Sequence, residues 1–218
     1  MPEPAARLYL VSPPIRDAEA FAPRLAAACA ASDVAAVLLR LEPADARTLV
    51  NRIKALAPAA QAQGAAVLVE APGAEDVVGA AVRGGADGVH AGGDAAALPA
   101  LRERLKEGRI LGAGGLRSKH DAMTAGEAGV DYVLFGEPRP DGSLAPLDAV
   151  ADRAAWWAEI FETPCVAFAP SLEAAGRLAA TGAEFVALGD AVWAHPDGPA
   201  AAVAAALARL TVVKEMLR

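Results

Sequence analysis

Three stretches of the sequence repeat one pattern and decide the fold: Gly85-Ala86-Asp87-Gly88-Val89, Gly129-Val130-Asp131-Tyr132-Val133 and Gly182-Ala183-Glu184-Phe185-Val186. In each, a glycine ends a helical segment, an acidic residue follows, and an apolar strand begins. Glycine suits this place because it readily adopts the left-handed conformation in which many helices end. The repeat therefore predicts three helix-to-strand junctions of one kind.

The same alternation extends outward over the whole chain. Eight short apolar runs are predicted as strands, at 7–11, 34–41, 66–69, 88–90, 109–113, 131–135, 165–168 and 184–188. Helices are predicted between them, at 17–31, 43–64, 74–83, 94–107, 146–161 and 200–217, with two more beginning at the N-cap residues Ser118 and Ser171. Helices that connect successive strands require a parallel sheet. Eight such units in 218 residues predict an α/β fold, a closed (β/α)₈ barrel forming one domain over residues 1–218.

The composition narrows the range of partners and compartments. The net charge is −7 and no basic stripe with interleaved aromatics appears, so we expect no nucleic-acid binding. The apolar runs, such as 200–208, are shorter than the roughly 18 residues of a membrane span, and residues 1–4 do not resemble a signal peptide. Cys29 and Cys165 are far apart and lack a CxxC pattern, which predicts buried reduced thiols and a cytoplasmic location. An acidic chain can still hold a locally basic pocket, so a small anionic ligand remains open.

The loops after the strands should carry the ligand site of such a barrel. His90 ends a strand, a double glycine follows, and Asp94 stands at a helix start. This arrangement is typical of a site, but His90 can equally pack inside the barrel while Asp94 caps the helix.

The loop after the fifth strand is a second candidate. It places Gly114 and Gly115 beside the cations Arg117 and Lys119 and the ionisable His120, at the start of a helix. Backbone N–H groups and the helix dipole can hold an anion in this setting. A flexible loop with solvated charges is the alternative interpretation.

Polar residues also end the second and third strands. Arg40 is costly to bury without a partner, which could be an anionic ligand, Glu42 or Glu70. Glu70 could act as a base, or it could simply pair with Arg40. The stretch 136–143, which includes Ser143, is typical of a turn-rich loop.

The chain resembles the thiamine phosphate synthase family and its TenI-like relatives over nearly its whole length. The resemblance is carried by the segments 8–12 and 38–40, by Gly85-Ala86-Asp87-Gly88-Val89-His90-Ala91-Gly92, by 110–112, and by Gly129-Val130-Asp131-Tyr132-Val133-Leu134-Phe135-Gly136. It implies a (β/α)₈ barrel and a transferase of thiamine biosynthesis that couples a pyrimidine diphosphate to a thiazole phosphate. The resemblance also implies Mg²⁺ as the cofactor and phosphorylated pyrimidine or thiazole as the ligand. The oligomeric state is left open, with a homodimer as one option.

The family's site residues transfer only in part. In the synthase interpretation Arg40, Glu70 and His90 serve the reaction, Arg117, Lys119, Gly114, Gly115 and Ser143 bind substrate, and Asp94 helps to hold Mg²⁺. The sequence departs from the family pattern at Leu38, Glu42, Glu70-Ala71, Gly93, Gly114 or Gly115, 141–144, Ala169-Pro170 and Asp190. Since each lost donor can cost on the order of 3 kcal/mol of transition-state stabilisation, these departures predict weakened synthase activity.

Three other functions therefore stay open beside the synthase. A TenI-like tautomerase would need only an acid or base such as His120. A binding or regulatory barrel would have kept the fold without the chemistry. An enzyme for a different small anion would use the loop 114–120.

Overall fold

The computed structural model of the chain describes residues 6–93, 95–106, 108–139 and 141–216, with side chains up to residue 211. Its strands are β1 Arg7–Val11, β2 Val34–Arg40, β3 Ala66–Glu70, β4 Gly88–Gly92, β5 Ile110–Gly114, β6 Tyr132–Phe135, β7 Cys165–Ala169 and β8 Phe185–Leu188. Each strand pairs in parallel with the next, and β1 pairs with β8, so the sheet closes. The predicted (β/α)₈ barrel is confirmed.

Helices follow the strands and cover the outside of the barrel. They are α1 Ala18–Ala31, α2 Ala46–Gln61, α3 Val77–Gly84, α4 Leu98–Leu105, α5 Lys119–Glu127, α6 Leu147–Ile160, α7 Leu172–Ala179, α8 Asp190–Trp193 and α9 Gly198–Met216. Ser118 caps α5 and Ser171 caps α7, as predicted, each accepting a hydrogen bond from the backbone N–H three residues on. Within the described residues, no helix combines the length and apolar character needed to cross a bilayer.

The glycines of the repeated pattern have the backbone that the pattern predicts. The φ angles of Gly85, Gly129 and Gly182 are 85°, 75° and 89°. A residue with a Cβ would be strained in this left-handed region. These glycines therefore end helices and turn the chain into β4, β6 and β8.

Two helical segments differ from the sequence prediction. The helix predicted over 94–107 is a 3₁₀ turn at Ala95–Ala97 followed by α4. Pro99 lacks an N–H and suits only the first turn of an α-helix, so the regular helix begins beside it. The short helix α8 was not predicted, because four residues are too few to show a helical period.

The barrel interior forms a small core separate from the layer between strands and helices. Its buried members include Tyr9, Val11, Leu38, Leu68, Tyr132, Leu134, Val166 and Phe168. On the β5 side, Gly112 leaves the space that an aromatic ring fills, since a Cβ there would lie 2.1 Å from Cζ of Tyr132. A tyrosine hydroxyl is thereby brought inside the barrel.

Both cysteines are buried and carry free thiols, as predicted. Burial raises the pKa of Cys29 to about 11 and that of Cys165 to about 12. Trp193 also belongs to the core: it is 5% exposed, and its indole N–H donates to the carbonyl of Val11 at 2.7 Å.

Candidate functional site

Arg40 and Glu70 meet at the carboxyl end of the barrel. They are the last residues of β2 and β3 and lie in register. The Nε of Arg40 donates to Oε2 of Glu70 at 3.1 Å, with side chains 24% and 19% exposed. The ion pair expected from the sequence is thus present. The Nη groups of Arg40 make no hydrogen bond to another described residue, which leaves them free to bind an anion.

His90 extends this group into the barrel. Its side chain is 4% exposed, and Nδ1 lies 2.9 Å from the hydroxyl of Tyr132, which in turn lies 2.8 Å from the hydroxyl of Tyr9. Burial, followed by the positive charge of Arg40, lowers the pKa of His90 to about 4. The imidazole is therefore neutral near neutral pH. His90 thus packs inside the barrel, as one of the two interpretations expects, while the helix cap by Asp94 that belongs to it lies outside the described residues. The other ring nitrogen of His90 lies beside Gly114.

Neither Tyr9 nor Tyr132 was predicted from the sequence as a site residue. A tyrosine on a buried strand needs a partner for its hydroxyl, and that requirement was the one available signal. The identity of the partner depends on how the barrel closes, since Tyr9 and Tyr132 are 123 residues apart in the chain.

Glu137 is a further residue that was not predicted from the sequence. It follows β6, is partly buried, and its Oε1 accepts a hydrogen bond from the backbone N–H of Gly115. A Cβ on Gly114 would lie 2.4 Å from this oxygen and 2.5 Å from Nε2 of His90. Glu137 and His90 thus face each other across Gly114. Burial raises the pKa of Glu137, and the charge of Glu70 raises it further against the opposing effect of the Gly115 N–H.

These residues define the mouth: Arg40, Glu70, His90, Gly92, Gly114, Gly115 and Glu137. Gly92 contributes by its small size, because a Cβ there would lie 2.9 Å from Oε1 of Glu70. The mouth combines a cation, two carboxyl groups and an imidazole around glycines. It can hold an anionic group at Arg40 and accept or donate hydrogen bonds around it.

The predicted loop cations lie apart from the mouth. Arg117, Lys119 and His120 are exposed, and no described contact joins their side chains to Arg40, Glu70 or His90. Nζ of Lys119 lies 4.4 Å from the centre of the Trp156 ring on α6. Substrate binding by Arg117 and Lys119, and acid or base chemistry by His120, stay predictions.

Ser143 lies in the turn-rich loop that the sequence predicts. Its hydroxyl accepts from Nη1 of Arg139 at 3.1 Å, and its N–H donates to the carboxylate of Asp141 at 2.9 Å. The backbone N–H of Gly142 closes the turn on the carbonyl of Arg139 at 2.8 Å. Ser143 is therefore held by its own loop, and a role in substrate binding stays a prediction.

Residues suited to a metal do not form a cluster within the described part of the chain. Asp94, the predicted Mg²⁺ ligand, lies outside the described residues. Among those described, no three His, Cys, Asp or Glu side chains come together as a metal site. Magnesium is often held by one or two carboxylates together with substrate phosphates, so a single aspartate suits that mode of binding.

Two surface cavities lie elsewhere, near the amino-terminal end of β5. The larger has a volume of about 610 Å³ and includes Arg102, Arg109 and Asp131 in its lining. Arg102 donates to Asp131 at 2.8 Å and to the carbonyl of Arg109 at 2.6 Å, so these groups bind one another. The amino-terminal face of such barrels commonly serves stability, so the mouth is the candidate functional site.

Comparison with known proteins identifies the family of the chain. The family model described as Thiamine monophosphate synthase matches residues 8–192. The chain is 42% identical over 200 residues to the Thiamine-phosphate synthase of Rhodospirillum centenum, covering 91% of this chain and 94% of the relative. It is 37% identical over 211 residues to the Thiamine-phosphate synthase of Hyphomonas neptunium, covering 94% and 93%.

A solved structure supports the fold. The thiamine phosphate pyrophosphorylase of Pyrococcus furiosus matches with a TM-score of 0.76 at 22% identity, covering 96% of this chain and 97% of its own. The resemblance seen in the sequence is confirmed. This chain belongs to the thiamine monophosphate synthase family.

Proposed function

We propose that the protein is a thiamine-phosphate synthase. In this reaction the bond between the pyrimidine methylene carbon and the diphosphate oxygen breaks, and its electron pair leaves with pyrophosphate. The ring nitrogen of the thiazole phosphate forms the new carbon–nitrogen bond. The observation that carries the proposal is the 42% identity to a Thiamine-phosphate synthase over nearly the full length of both chains.

The mouth offers groups suited to this chemistry. Negative charge grows on the departing pyrophosphate, and the free Nη groups of Arg40 could stabilise it. Glu70 holds the guanidinium in place through the Nε hydrogen bond. His90 adds a neutral ring nitrogen at the same opening. These roles support turnover despite the sequence departures, whose weakening effect on activity stays a prediction.

Magnesium belongs to the same proposal. Asp94 would hold the ion together with oxygens of the diphosphate, a mode in which Mg²⁺ needs few protein ligands. When bound, the ion would neutralise charge on the leaving group. The reduced thiols of Cys29 and Cys165 support a cytoplasmic location. Homodimer formation remains an expectation.

The second candidate function is that of a binding or regulatory barrel, which binds a ligand and catalyses no reaction. It is favoured by the position of Lys119, which lies on Trp156, and by the ion pair that already neutralises Arg40. His120, which would be the acid or base of a tautomerase, is exposed on the first turn of α5, and no described contact of its side chain supports that function.

The test is a pyrophosphate-release assay with the pyrimidine diphosphate, the thiazole phosphate and Mg²⁺, beside calorimetric titration of each substrate. We expect turnover that requires all three components. Tight binding of both substrates without turnover would contradict the synthase and establish the binding barrel. The absence of both binding and turnover would contradict both functions.

A further inference from the structure

The side chains of Tyr9, Tyr132 and His90 form a hydrogen-bonded series inside the barrel, and one end of this series is buried. The hydroxyl of Tyr9 lies 2.8 Å from that of Tyr132, and Tyr9 is 2% exposed. It makes no hydrogen bond to any other described residue. Tyr132 has a second partner, Nδ1 of His90 at 2.9 Å. Tyr9 therefore ends the series, while His90 continues it toward the mouth.

The direction of the hydrogen bonds follows from this asymmetry. If Tyr9 donates to Tyr132, then Tyr132 donates to Nδ1 of His90, and both phenol hydrogens have an acceptor. In the opposite direction, His90 donates from Nδ1 to Tyr132, Tyr132 donates to Tyr9, and the buried hydrogen of Tyr9 has none. A buried donor without an acceptor costs the desolvation penalty of its group, which favours the first direction by about tenfold or more.

The chosen direction decides which nitrogen of His90 carries its hydrogen. Since Nδ1 accepts from Tyr132, the hydrogen of a neutral imidazole must be on Nε2. Nε2 makes no hydrogen bond to another described residue, and no described buried side-chain nitrogen or oxygen lacks a partner, so Nε2 reaches the open mouth. There it faces Oε1 of Glu137 across Gly114.

The two tyrosines are themselves held in the form that this arrangement needs. Burial raises the pKa of Tyr9 and of Tyr132, so both phenols keep their hydrogens at neutral pH. The Tyr132 ring also stacks on the imidazole, with centres 5.7 Å apart and planes 22° apart. Stacking fixes the plane in which the Nε2–H bond points.

We propose that Tyr9 and Tyr132 are positioning residues that place the hydrogen of His90 on Nε2, so that His90 serves the mouth as a hydrogen-bond donor and not as a base. In the free protein Nε2 makes no hydrogen bond to a described residue, so the place of its acceptor is available to a ligand. In a complex, an oxygen of the diphosphate takes that place. The tautomer is independent of the proposed function, and only the role of the donor in turnover rests on it.

The first test is ¹⁵N NMR of the imidazole rings at neutral pH in the wild-type protein. The chain has three histidines, and the signals of His90 are identified by their loss in His90→Gln. We expect a protonated Nε2 and an unprotonated Nδ1. A protonated Nδ1, alone or together with Nε2, would overturn the proposal, and this result needs no activity and no tyrosine variant.

Two variants that each remove one hydroxyl provide the matched comparison. Tyr9→Phe leaves Tyr132 able to donate to Nδ1, so the Nε2–H tautomer should persist. Tyr132→Phe removes the donor, and the two tautomers should become mixed. An unchanged tautomer in folded Tyr132→Phe would contradict the role of Tyr132.

Kinetics then test the role in the reaction. The amide nitrogen of glutamine can take the place of Nε2, whereas that of asparagine lies nearer the position of Nδ1. We expect His90→Gln to keep about tenfold more kcat than His90→Asn. The reverse order, with the wild-type tautomer confirmed, would assign His90 a role other than donation. If the wild-type enzyme shows no turnover, the proposed function fails while the NMR result stands.

Discussion

The two sets of polar residues on the carboxyl-terminal face are held in different ways. Arg40, Glu70 and His90 lie on neighbouring strands, so the register of the sheet brings them together. Arg117 and Lys119 lie on the loop before α5, where the capping of the helix by Ser118 sets the local backbone. Strand register therefore gathers side chains that are far apart in sequence, whereas a capped loop directs its side chains outward. We therefore infer that a cation that ends a strand is the stronger candidate for the site than a cation on such a loop.

The largest expected effect concerns the titration of His90. Its pKa is about 4 in the folded protein against an ordinary 6.5, so the unfolded chain binds more protons between these values. Neutral His90 therefore makes its full contribution to the free energy of unfolding above pH 6.5. This contribution is lost as the pH falls through the folded pKa, by about 3 kcal/mol in total. The free energy of unfolding, measured in urea, should fall more steeply from about pH 7 to about pH 5 for the wild type than for His90→Asn. Equal slopes would contradict the buried neutral state of His90.

Arg40→Ala and Arg117→Ala compare a strand-end cation directly with a loop cation. We expect Arg40→Ala to lower kcat/KM by about 100-fold, because a lost electrostatic donor commonly has this effect. Arg117→Ala should keep activity within about twofold, since its exposed charge is screened by solvent. Pyrophosphate release measures both. A larger loss of kcat/KM in Arg117→Ala than in Arg40→Ala would place the site in the loop. If Arg40→Ala lowered the stability of the protein without lowering its turnover, the binding barrel would be favoured.

Glu137→Gln sharpens the electrostatic part of the comparison. The amide oxygen can still accept from Gly115, while the negative charge beside the anion site is removed. We expect about fivefold tighter pyrophosphate binding, since one like charge in a partly buried site contributes on the order of 1 kcal/mol.

Asp141→Asn, which removes an exposed carboxylate from the same loop, is the control and should change little. The advantage of Glu137→Gln should shrink as the pH falls through the raised pKa of Glu137, because the wild-type carboxyl then becomes neutral. Calorimetry at two pH values checks this. A constant advantage at both would argue against an effect of charge.

The smallest expected effect is that of Lys119→Ala. Loss of the contact with Trp156 should lower the free energy of unfolding by about 0.5 kcal/mol and leave turnover unchanged. Lys54→Ala, an exposed lysine on α2, is the matched control for thermal unfolding. A strong loss of turnover in Lys119→Ala alone would show that the loop cations act at the mouth.

The sequence predicted the barrel because its strands and helices alternate with clear periods and because Gly85, Gly129 and Gly182 mark their junctions. It missed α8, which is too short to show a period. The sequence also predicted one regular helix over 94–107, whereas the α-helix begins only at Leu98, next to Pro99. Local signals therefore located the elements, and their ends depended on single residues.

For the candidate site, the sequence singled out only residues that are costly to bury in their own strand. Arg40, Glu70 and His90 stand out because a polar group at the end of an apolar strand needs a partner. Tyr9 and Tyr132 look like ordinary strand residues until the barrel closes and joins their hydroxyls. Glu137 looked like part of a turn, because its contact with Gly115 depends on the packing of two loops.

Chemical-shift mapping with inorganic pyrophosphate tests most directly the claim that the strand ends form the site. In ¹⁵N-labelled protein with Mg²⁺, we predict that the largest changes fall on backbone amides at the strand ends, at Leu41, Ala71, Gly92 and Gly115. Changes centred instead on residues 117–120 and 141–143, with the strand ends unaffected, would contradict the account.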